Sequence, residues 1–322
     1  MRILVASQLD PDALAQLQRE HDVLTVIGGS EEALAGAVVD REAIVFRSGV
    51  TISNRVLGAG SDLRLLVRAG SGLDNLDVDY VRSRGITLHR IPGPGAQAVA
   101  ELTFGLMICL ARGILRGDRN LRDGHWIKSE LVGYNLTGKT LGIIGLGSIG
   151  SRVAALGAAW GMRPIGCVAH FSTERAERVA DRGFQLADLD TVIAQGDFVT
   201  IHVPLDDTTR GLIGRRELGL MKPGSYLVNM ARGGVVDEGA LLEALVDGTR
   251  LRGAALDVHV NEGEGKVSSL AALSNVVLTP HIGATTHDAQ REIGQEVIRL
   301  IENHENESGA GRMAQVAGAA DE

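Results

Sequence analysis

The chain has 322 residues, of which 44% are hydrophobic and 22% charged, and a formal net charge of −8. This is a globular composition with room for two cored domains, and the acidic balance, without a long basic run, excludes nucleic acid as the main partner. The two cysteines, Cys109 and Cys167, are far apart and lack metal-ligand spacing, which excludes a disulfide framework, leaves no metal site to expect and fits a reducing cytoplasm.

The apolar part of Met1–Ser7 is too short for a signal peptide and reads as a first strand. From there short apolar runs alternate with amphipathic segments. Ile3–Ala6, Val23–Ile27, Ala43–Phe46, Leu63–Val67 and Ile86–His89 are predicted strands, with helices between them and helix starts at Asp10-Pro11 and Ser53-Asn54. Pro92-Gly-Pro-Gly95 punctuates the chain before a long apolar helix, Ala96–Arg112. Glu101 and Arg112 bound its most apolar part well short of a membrane span, so it reads as a buried helix. A polar segment with Trp126 and Lys128 follows.

The alternation then resumes. Strands are predicted at Leu141–Ile144, Pro164–Ala169, Phe198–His202, Tyr226–Asn229, Gly253–Leu256 and Val276–Leu278, with helices at Ser151–Trp160, Glu174–Arg182 and Glu238–Val246. Ala284–Asn303 is a final amphipathic helix, expected to pack back on the first unit. Such alternation predicts an α/β protein of two parallel-sheet domains, residues 1–97 with 284–303 and residues 98–283. Residues 304–322 are small, polar and rich in alanine and glycine, and are expected to be a disordered tail.

The most informative stretch is Thr140-Leu-Gly-Ile-Ile-Gly-Leu-Gly-Ser-Ile-Gly150. A buried strand breaks into Gly145, Gly147 and Gly150 and a helix follows, which is the order a dinucleotide requires. The first glycine permits the tight turn, the second lets the backbone approach a pyrophosphate, and the third lets the helix pack on the sheet. The free N–H groups around Ser148 and Ile149, at the positive end of the helix dipole, face the phosphates. In a chain with 42 glycines a structural turn is the competing reading, but the strand-turn-helix setting selects the doubly wound, Rossmann-like dinucleotide domain for residues 98–283. A nucleophile elbow is excluded because Leu146 stands two residues before Ser148.

Three later segments put reactive side chains at predicted strand ends, where open parallel sheets bind ligands. They are Asn229–Asp237 with Arg232, Ala255–Glu262 with Asp257 and Glu262, and Thr279–Ala284 with His281. A cation to fix and polarise, an imidazole to move a proton and a carboxylate to hold the imidazole suit reduction of a carbonyl beside a carboxylate.

With these residues in place the chain resembles the D-isomer-specific 2-hydroxyacid dehydrogenases, most closely their phosphoglycerate dehydrogenase branch. The matching motifs are Val67-Arg-Ala-Gly-Ser-Gly-Leu-Asp-Asn75, Ala100-Glu-Leu-Thr103, Leu136–Gly145, His202-Val-Pro-Leu205, Ala231–Asp237 and Pro280-His-Ile-Gly283. The resemblance implies oxidoreduction at C2 of a small anionic 2-oxo or (D)-2-hydroxy acid, with catalytic Arg232, Glu262 and His281. It implies cofactor contacts at Val203, Pro204, Ala231, Asp257 and Gly283 besides the glycine turn, and a homodimer built through the cofactor domain. Around Glu262 the family pattern has an aromatic residue and then a proline where this chain has His259 and Gly263, so Glu264 stands as the other candidate partner of His281.

In the first domain, read as substrate-binding, the turn containing Ser71 and Gly72 resembles the loop that binds the substrate carboxylate. Arg68 and Lys128 match basic positions that neutralise a second anionic group; the alternative for both is a plain surface charge. A 3-phosphoglycerate-like substrate follows, with glyoxylate, hydroxypyruvate or a phosphonate analogue as alternatives. An NAD- or NADH-sensing regulatory scaffold is the rival from another class. With no further domain after Asn303, feedback control of the longer phosphoglycerate dehydrogenases is not expected.

The cofactor itself is left as NAD or NADP. NAD-using members place an acid at the end of the second strand, roughly 20 residues past the glycines, to bond the ribose 2′-OH. Here Val168 stands there. Without that anion His170, Ser172, Thr173 and Arg175 are free to receive a 2′-phosphate, which tips the expectation to NADP.

Overall fold

The computed structural model describes residues 1–73, 75–170 and 183–318, with side chains described as far as residue 307. The chain divides into two compact units, residues 1–95 with 285–322 and residues 96–284.

The first unit carries β1 (Arg2–Val5), α1 (Pro11–Glu20), β2 (Asp22–Thr25), α2 (Glu31–Ala37), β3 (Ala43–Phe46), α3 (Asn54–Ala59), β4 (Leu65–Arg68), α4 (Val78–Ser83) and β5 (Thr87–Arg90). The strands form one parallel sheet in the order β2-β1-β3-β4-β5. β3 and β4 are buried along their whole length, as continuous apolar runs covered on both faces must be. Asp10 caps α1 by accepting from the Ala13 N–H, with Pro11 at the first helical position, and Ser53 caps α3 through the Val56 N–H.

The last helix, His287–Gly318, belongs to this unit. Gly294 lets it approach α1, because a β-carbon there would lie 2.6 Å from that of Ala13. The helix is continuous fifteen residues past Asn303, to Gly318. No proline follows Pro280 to stop it, glutamate and alanine sustain helix well, and Glu305 ion-pairs with the Met1 amino group at 2.9 Å.

The second unit opens with α5 (Gly95–Arg112) and α6 (Ile114–Arg122), then continues through β6 (Thr140–Ile144), α7 (Ser148–Ala159), β7 (Arg163–Cys167), β8 (Gln185–Leu186), β9 (Phe198–Ile201), β10 (Ser225–Asn229), β11 (Leu251–Leu256) and β12 (Val276–Leu278). All seven strands are parallel, in the order β12-β11-β10-β9-β6-β7-β8. The order reverses between β6 and β9, and a crevice outside the carboxyl ends of strands at such a switch point is where open sheets take ligands. α6 lies where a polar segment was expected. It starts at Gly113 in the left-handed region, φ 60, and buries no residue, its apolar Ile114, Leu115 and Leu121 staying partly exposed. The predicted helix Glu174–Arg182 lies outside the described residues. Among the described residues no single helix is long and apolar enough to cross a membrane.

Candidate active site at the strand ends of the second unit

β6 ends in the glycine turn, and each glycine is there for a steric reason. At Gly145, φ 96, a β-carbon would meet the carbonyl oxygen of His202 at 2.6 Å, so β6 and β9 come together at the switch point. At Gly150 a β-carbon would lie 2.0 Å from the Gly145 oxygen; only glycine lets α7 start so close to the strand. Gly147 differs, since a β-carbon there meets nothing within 4 Å. It is also the N-cap of α7 with no side-chain cap, so the first N–H groups of this helix, at Ser148 and Ile149, open onto clear space. An uncapped helix N-terminus beside a bare glycine fits a pyrophosphate.

On the ribose side, Val168 is half-buried against the core formed by residues such as Leu146 and Val153, and His170 is exposed. Val168, Ala169 and His170 include no carboxylate. Ser172, Thr173 and Arg175 lie outside the described residues. Val203 and Pro204 follow β9 after His202, and Ala231 follows β10 after Met230, all on the same edge of the sheet as the glycine turn.

His202 accepts or donates one bond, Nε2 to Thr200 Oγ1 at 2.9 Å, and its Nδ1 is buried without a partner. Burial lowers its pKa from 6.5 to about 3. The folded chain therefore stays unprotonated at this ring while the unfolded chain takes up a proton below pH 6.5, and stability falls as pH drops through that window. One such proton is worth ~1.4 kcal/mol per pH unit. His202→Gln, measured by denaturant unfolding between pH 6.5 and 4.5, is expected to flatten the pH dependence by about that slope; an unchanged slope would refute the assignment.

Arg232 is fixed by the turn out of β10. Asn229 accepts from the Ala231 N–H at 3.1 Å and donates to the Arg232 carbonyl at 3.2 Å, while the Arg232 guanidinium donates to the Ala231 carbonyl at 2.7 Å. Gly233 then brings this loop against the segment after β11, where a β-carbon would be 1.9 Å from the His259 oxygen.

Asp257 stands at the end of β11, 2% exposed. Its Oδ1 accepts from Thr279 Oγ1 at 2.6 Å and the Ile282 N–H at 2.9 Å, and its Oδ2 from the Gly283 N–H at 2.8 Å. The carboxylate thus clamps the turn after β12 and holds His281 at φ 54, the one positive φ outside glycine among the described residues.

Out of that turn the His281 ring reaches Glu262, Nδ1 to Oε2 at 2.9 Å. The other oxygen, Oε1, accepts the His259 N–H at 3.1 Å. Burial opposes ionisation of Glu262, but the bond and charge of His281 and the His259 N–H outweigh it and hold the carboxyl below the usual glutamate value. An ionised carboxylate only accepts, so Nδ1 carries the ring proton and Nε2 is the nitrogen left for a ligand. The partner of His281 is therefore Glu262 rather than Glu264.

In the first unit Arg68 is not the surface charge of the bland alternative. It is 2% exposed, sits 5.7 Å over the Phe46 ring, and donates from Nε to the Gly72 carbonyl at 2.9 Å. That bond shapes the loop Gly70–Gly72, whose Ser71 and Gly72 N–H groups have no acceptor among the described residues. Lys128 is exposed on a single 3-10 turn, Lys128–Glu130.

Residues that composition did not single out include Thr279 and Asn229, whose short polar side chains set the two turns. Burial raises the thiol pKa of Cys109 and pushes that of Cys167 to about 11, which disfavours the thiolate at both. A cavity of about 400 Å³ opens among Tyr134, Tyr226, Arg252 and Asn275, at the amino ends of β10, β11 and β12, the sheet edge opposite this chemistry.

The model of the family described as "D-isomer specific 2-hydroxyacid dehydrogenase, NAD binding domain" matches residues 104–283. The chain is 39% identical over 303 residues to hydroxypyruvate reductase from Thermotoga maritima, covering 93% of this chain and 97% of that one. It is 40% identical over 302 residues to D-3-phosphoglycerate dehydrogenase from Methanocaldococcus jannaschii, covering 94% of this chain but 57% of that protein. The chain thus spans little more than half the length of that relative. The crystal structure of D-lactate dehydrogenase from Aquifex aeolicus, complexed with NAD and lactic acid, superposes with a TM-score of 0.84 at 27% identity, covering 94% of this chain and 95% of that one.

Proposed function

Because the chain belongs to the D-isomer specific 2-hydroxyacid dehydrogenase family, we propose that it interconverts a small anionic 2-oxo acid and the corresponding (D)-2-hydroxy acid with a nicotinamide dinucleotide. The observation that carries this reading is the Glu262–His281 pair, 2.9 Å apart, on the same sheet edge as an uncapped helix N-terminus behind a bare glycine.

A bound nicotinamide dinucleotide supplies the hydride. The N–H groups of Ser148 and Ile149 receive its pyrophosphate, with Val203, Pro204, Ala231 and Gly283 along its path. Asp257 uses three of its roughly four lone-pair positions inside the turn, and the fourth, on Oδ2, suits the carboxamide N–H. Arg232 binds the substrate carboxylate and polarises the neighbouring carbonyl, as a planar guanidinium does well. His281 gives its Nε2 proton to the carbonyl oxygen as that oxygen becomes a hydroxyl. Glu262 keeps the ring oriented and balances its charge when both nitrogens are protonated. In the first unit Arg68, Ser71 and Gly72 are the anion-binding positions, with the Arg68 Nε bond to Gly72 shaping the loop that presents the two N–H groups. Lys128 takes a second anionic group, which makes a 3-phosphoglycerate-like acid the first substrate to try, ahead of hydroxypyruvate or glyoxylate.

For the cofactor, the half-buried Val168 supports NADP, since Val168, Ala169 and His170 bring no carboxylate against a 2′-phosphate. Val168→Asp is expected to lower kcat/KM for NADPH roughly tenfold or more and to raise it for NADH, because a carboxylate bonds the 2′-OH and repels the phosphate; a variant with unchanged preference would overturn the NADP reading. Fluorescence titration with NADH and NADPH, followed by a 2-oxo acid panel, tests the function itself. Binding without turnover of any acid would replace the enzyme by a dinucleotide-sensing scaffold. A homodimer through the second unit completes the proposal, supported by Trp126, Val132 and Leu121, which are 78%, 84% and 60% exposed; a single-chain mass by light scattering would exclude it.

A further inference from the structure

His259 touches all three segments that carry Arg232, Glu262 and His281. Its backbone N–H donates to Glu262 Oε1 at 3.1 Å. Its ring Nε2 lies 2.9 Å from the carbonyl oxygen of Thr279, two residues before His281. Its own carbonyl presses on Gly233, the residue after Arg232, closely enough that any β-carbon there would be 1.9 Å away.

A carbonyl oxygen only accepts, so Nε2 carries the ring proton in the bond to Thr279. Nδ1 is then a bare acceptor, cut off from solvent and without a partner among the described residues. Leaving such a nitrogen buried and unpaired is unfavourable. A phenyl ring would fill the space without that penalty, so packing alone does not account for an imidazole here; the Nε2 bond does. This bond reaches the Thr279 backbone just before His281, beside the Asp257 contacts to Thr279 Oγ1 and to the Ile282 and Gly283 N–H groups.

We propose that His259 is a positioning residue of the active site: its Nε2–H bond to the Thr279 carbonyl fixes the turn bearing His281 against the loop bearing Glu262, so that the two keep their contact while the Arg232 loop packs on the other side of the same residue. The inference rests on the reading of Arg232, Glu262 and His281 given above. His259 acts on the reaction only through these neighbours. When the link is removed the Glu262–His281 pair gains freedom, proton delivery becomes less well aligned, and the cofactor site around Gly147 is left as it was.

The test pairs His259→Phe, which fills the space and lacks the donor, with His259→Gln, whose amide nitrogen reaches the place of Nε2. Both are compared with the wild type in steady-state kinetics across pH, using the 2-oxo acid the wild type reduces, and in NMR spectra of the 15N-labelled histidine rings. His259→Phe is expected to lose roughly tenfold in kcat, with KM for the cofactor unchanged, the pH profile displaced and the His281 Nδ1–H signal shifted or exchanging faster. His259→Gln is expected to recover most of kcat, the profile and the signal. The proposal is overturned if His259→Phe matches the wild type in all three, or if the two variants are equally impaired, which would mark a packing role. His281→Asn is run in parallel. A wild type that reduces no 2-oxo acid, or a His281→Asn enzyme with full turnover, brings down the reading of the site instead, and the ring signal still decides whether His259 holds His281.

Discussion

His281→Ala is expected to lower kcat by ~100- to 10,000-fold, the range associated with losing a positioned general acid or base, while NADH or NADPH binding measured by fluorescence stays within about twofold of the wild type, the change 0.4 kcal/mol would make. The reason is that the His281 ring has one nitrogen committed and one available. Nδ1 is held by Glu262 at 2.9 Å, so the tautomer is set and Nε2 faces outward with its capacity to give or take a proton. The ring also contributes little to holding its own turn, because the Asp257 carboxylate grips that backbone at Ile282 and Gly283. The left-handed φ of 54 adds a complication: alanine tolerates it less well than asparagine. His281→Asn therefore serves as the second variant, with the same loss of turnover and less conformational cost. A folded variant of either kind with near-normal turnover would sink the proton-transfer role. Glu262 supports the same conclusion from the pH side. Its folded pKa lies below the ordinary value, so its charge and the stabilisation linked to it are present above the unfolded pKa and lost only as pH falls through the lower folded one.

What made the scaffold readable was the apolar runs. Leu141–Ile144 and Tyr226–Asn229 are buried strands at the expected places, because strands covered on both faces must be apolar throughout, and Asp10 and Ser53 are helix caps because a short oxygen-bearing side chain there meets a free N–H. α6 carries only Ile114, Leu115 and Leu121 among charged and polar residues and buries none of them, so its short apolar edge passed for part of a polar segment. Past Asn303 composition alone does not distinguish a solvated helix from a tail. At the site, residue types were legible and their pairing was not. Glu262 and Glu264 are equivalent as letters; what separates them is the loop conformation, with Gly263 at φ 121 and the His259 N–H on Glu262. Arg68 read as a charge to be solvated or offered to a ligand; that it is buried and shapes a loop through Nε is visible only in the structure. Asp257 was expected at the cofactor, and most of its bonding is directed into the chain.

That last point leads to the largest structural effect expected of a near-isosteric change, Asp257→Asn. Asn keeps the volume and one oxygen. Oriented with its oxygen at the Oδ1 position it satisfies Thr279 and Ile282, but its NH2 then faces the Gly283 N–H across what is now a 2.8 Å acceptor contact. Flipped, its NH2 faces the Ile282 N–H, formerly 2.9 Å from Oδ1. In either orientation two donors meet in a site 2% exposed, with no solvent to relieve them. A buried donor left without its acceptor costs about 1–3 kcal/mol, and more where the lost partner was charged. The turn also has to hold His281 in the left-handed region, itself unfavourable by ~1–2 kcal/mol for an L-residue, and with the clamp broken the backbone can relax toward negative φ. That relaxation swings the ring away from Glu262. Denaturant unfolding is expected to show a loss of about 2 kcal/mol or more, and kcat to fall ~100-fold, the penalty for an ångström-scale misplacement of a reacting group. The split between constants identifies the mechanism. If Asp257 acts mainly by clamping the turn, kcat falls and the His281 ring signal moves; if it acts mainly as the acceptor for the carboxamide, KM for the cofactor rises with the ring signal unmoved. An Asp257→Asn protein with wild-type stability and kcat would show that the three bonds into the turn are not what holds His281 in place.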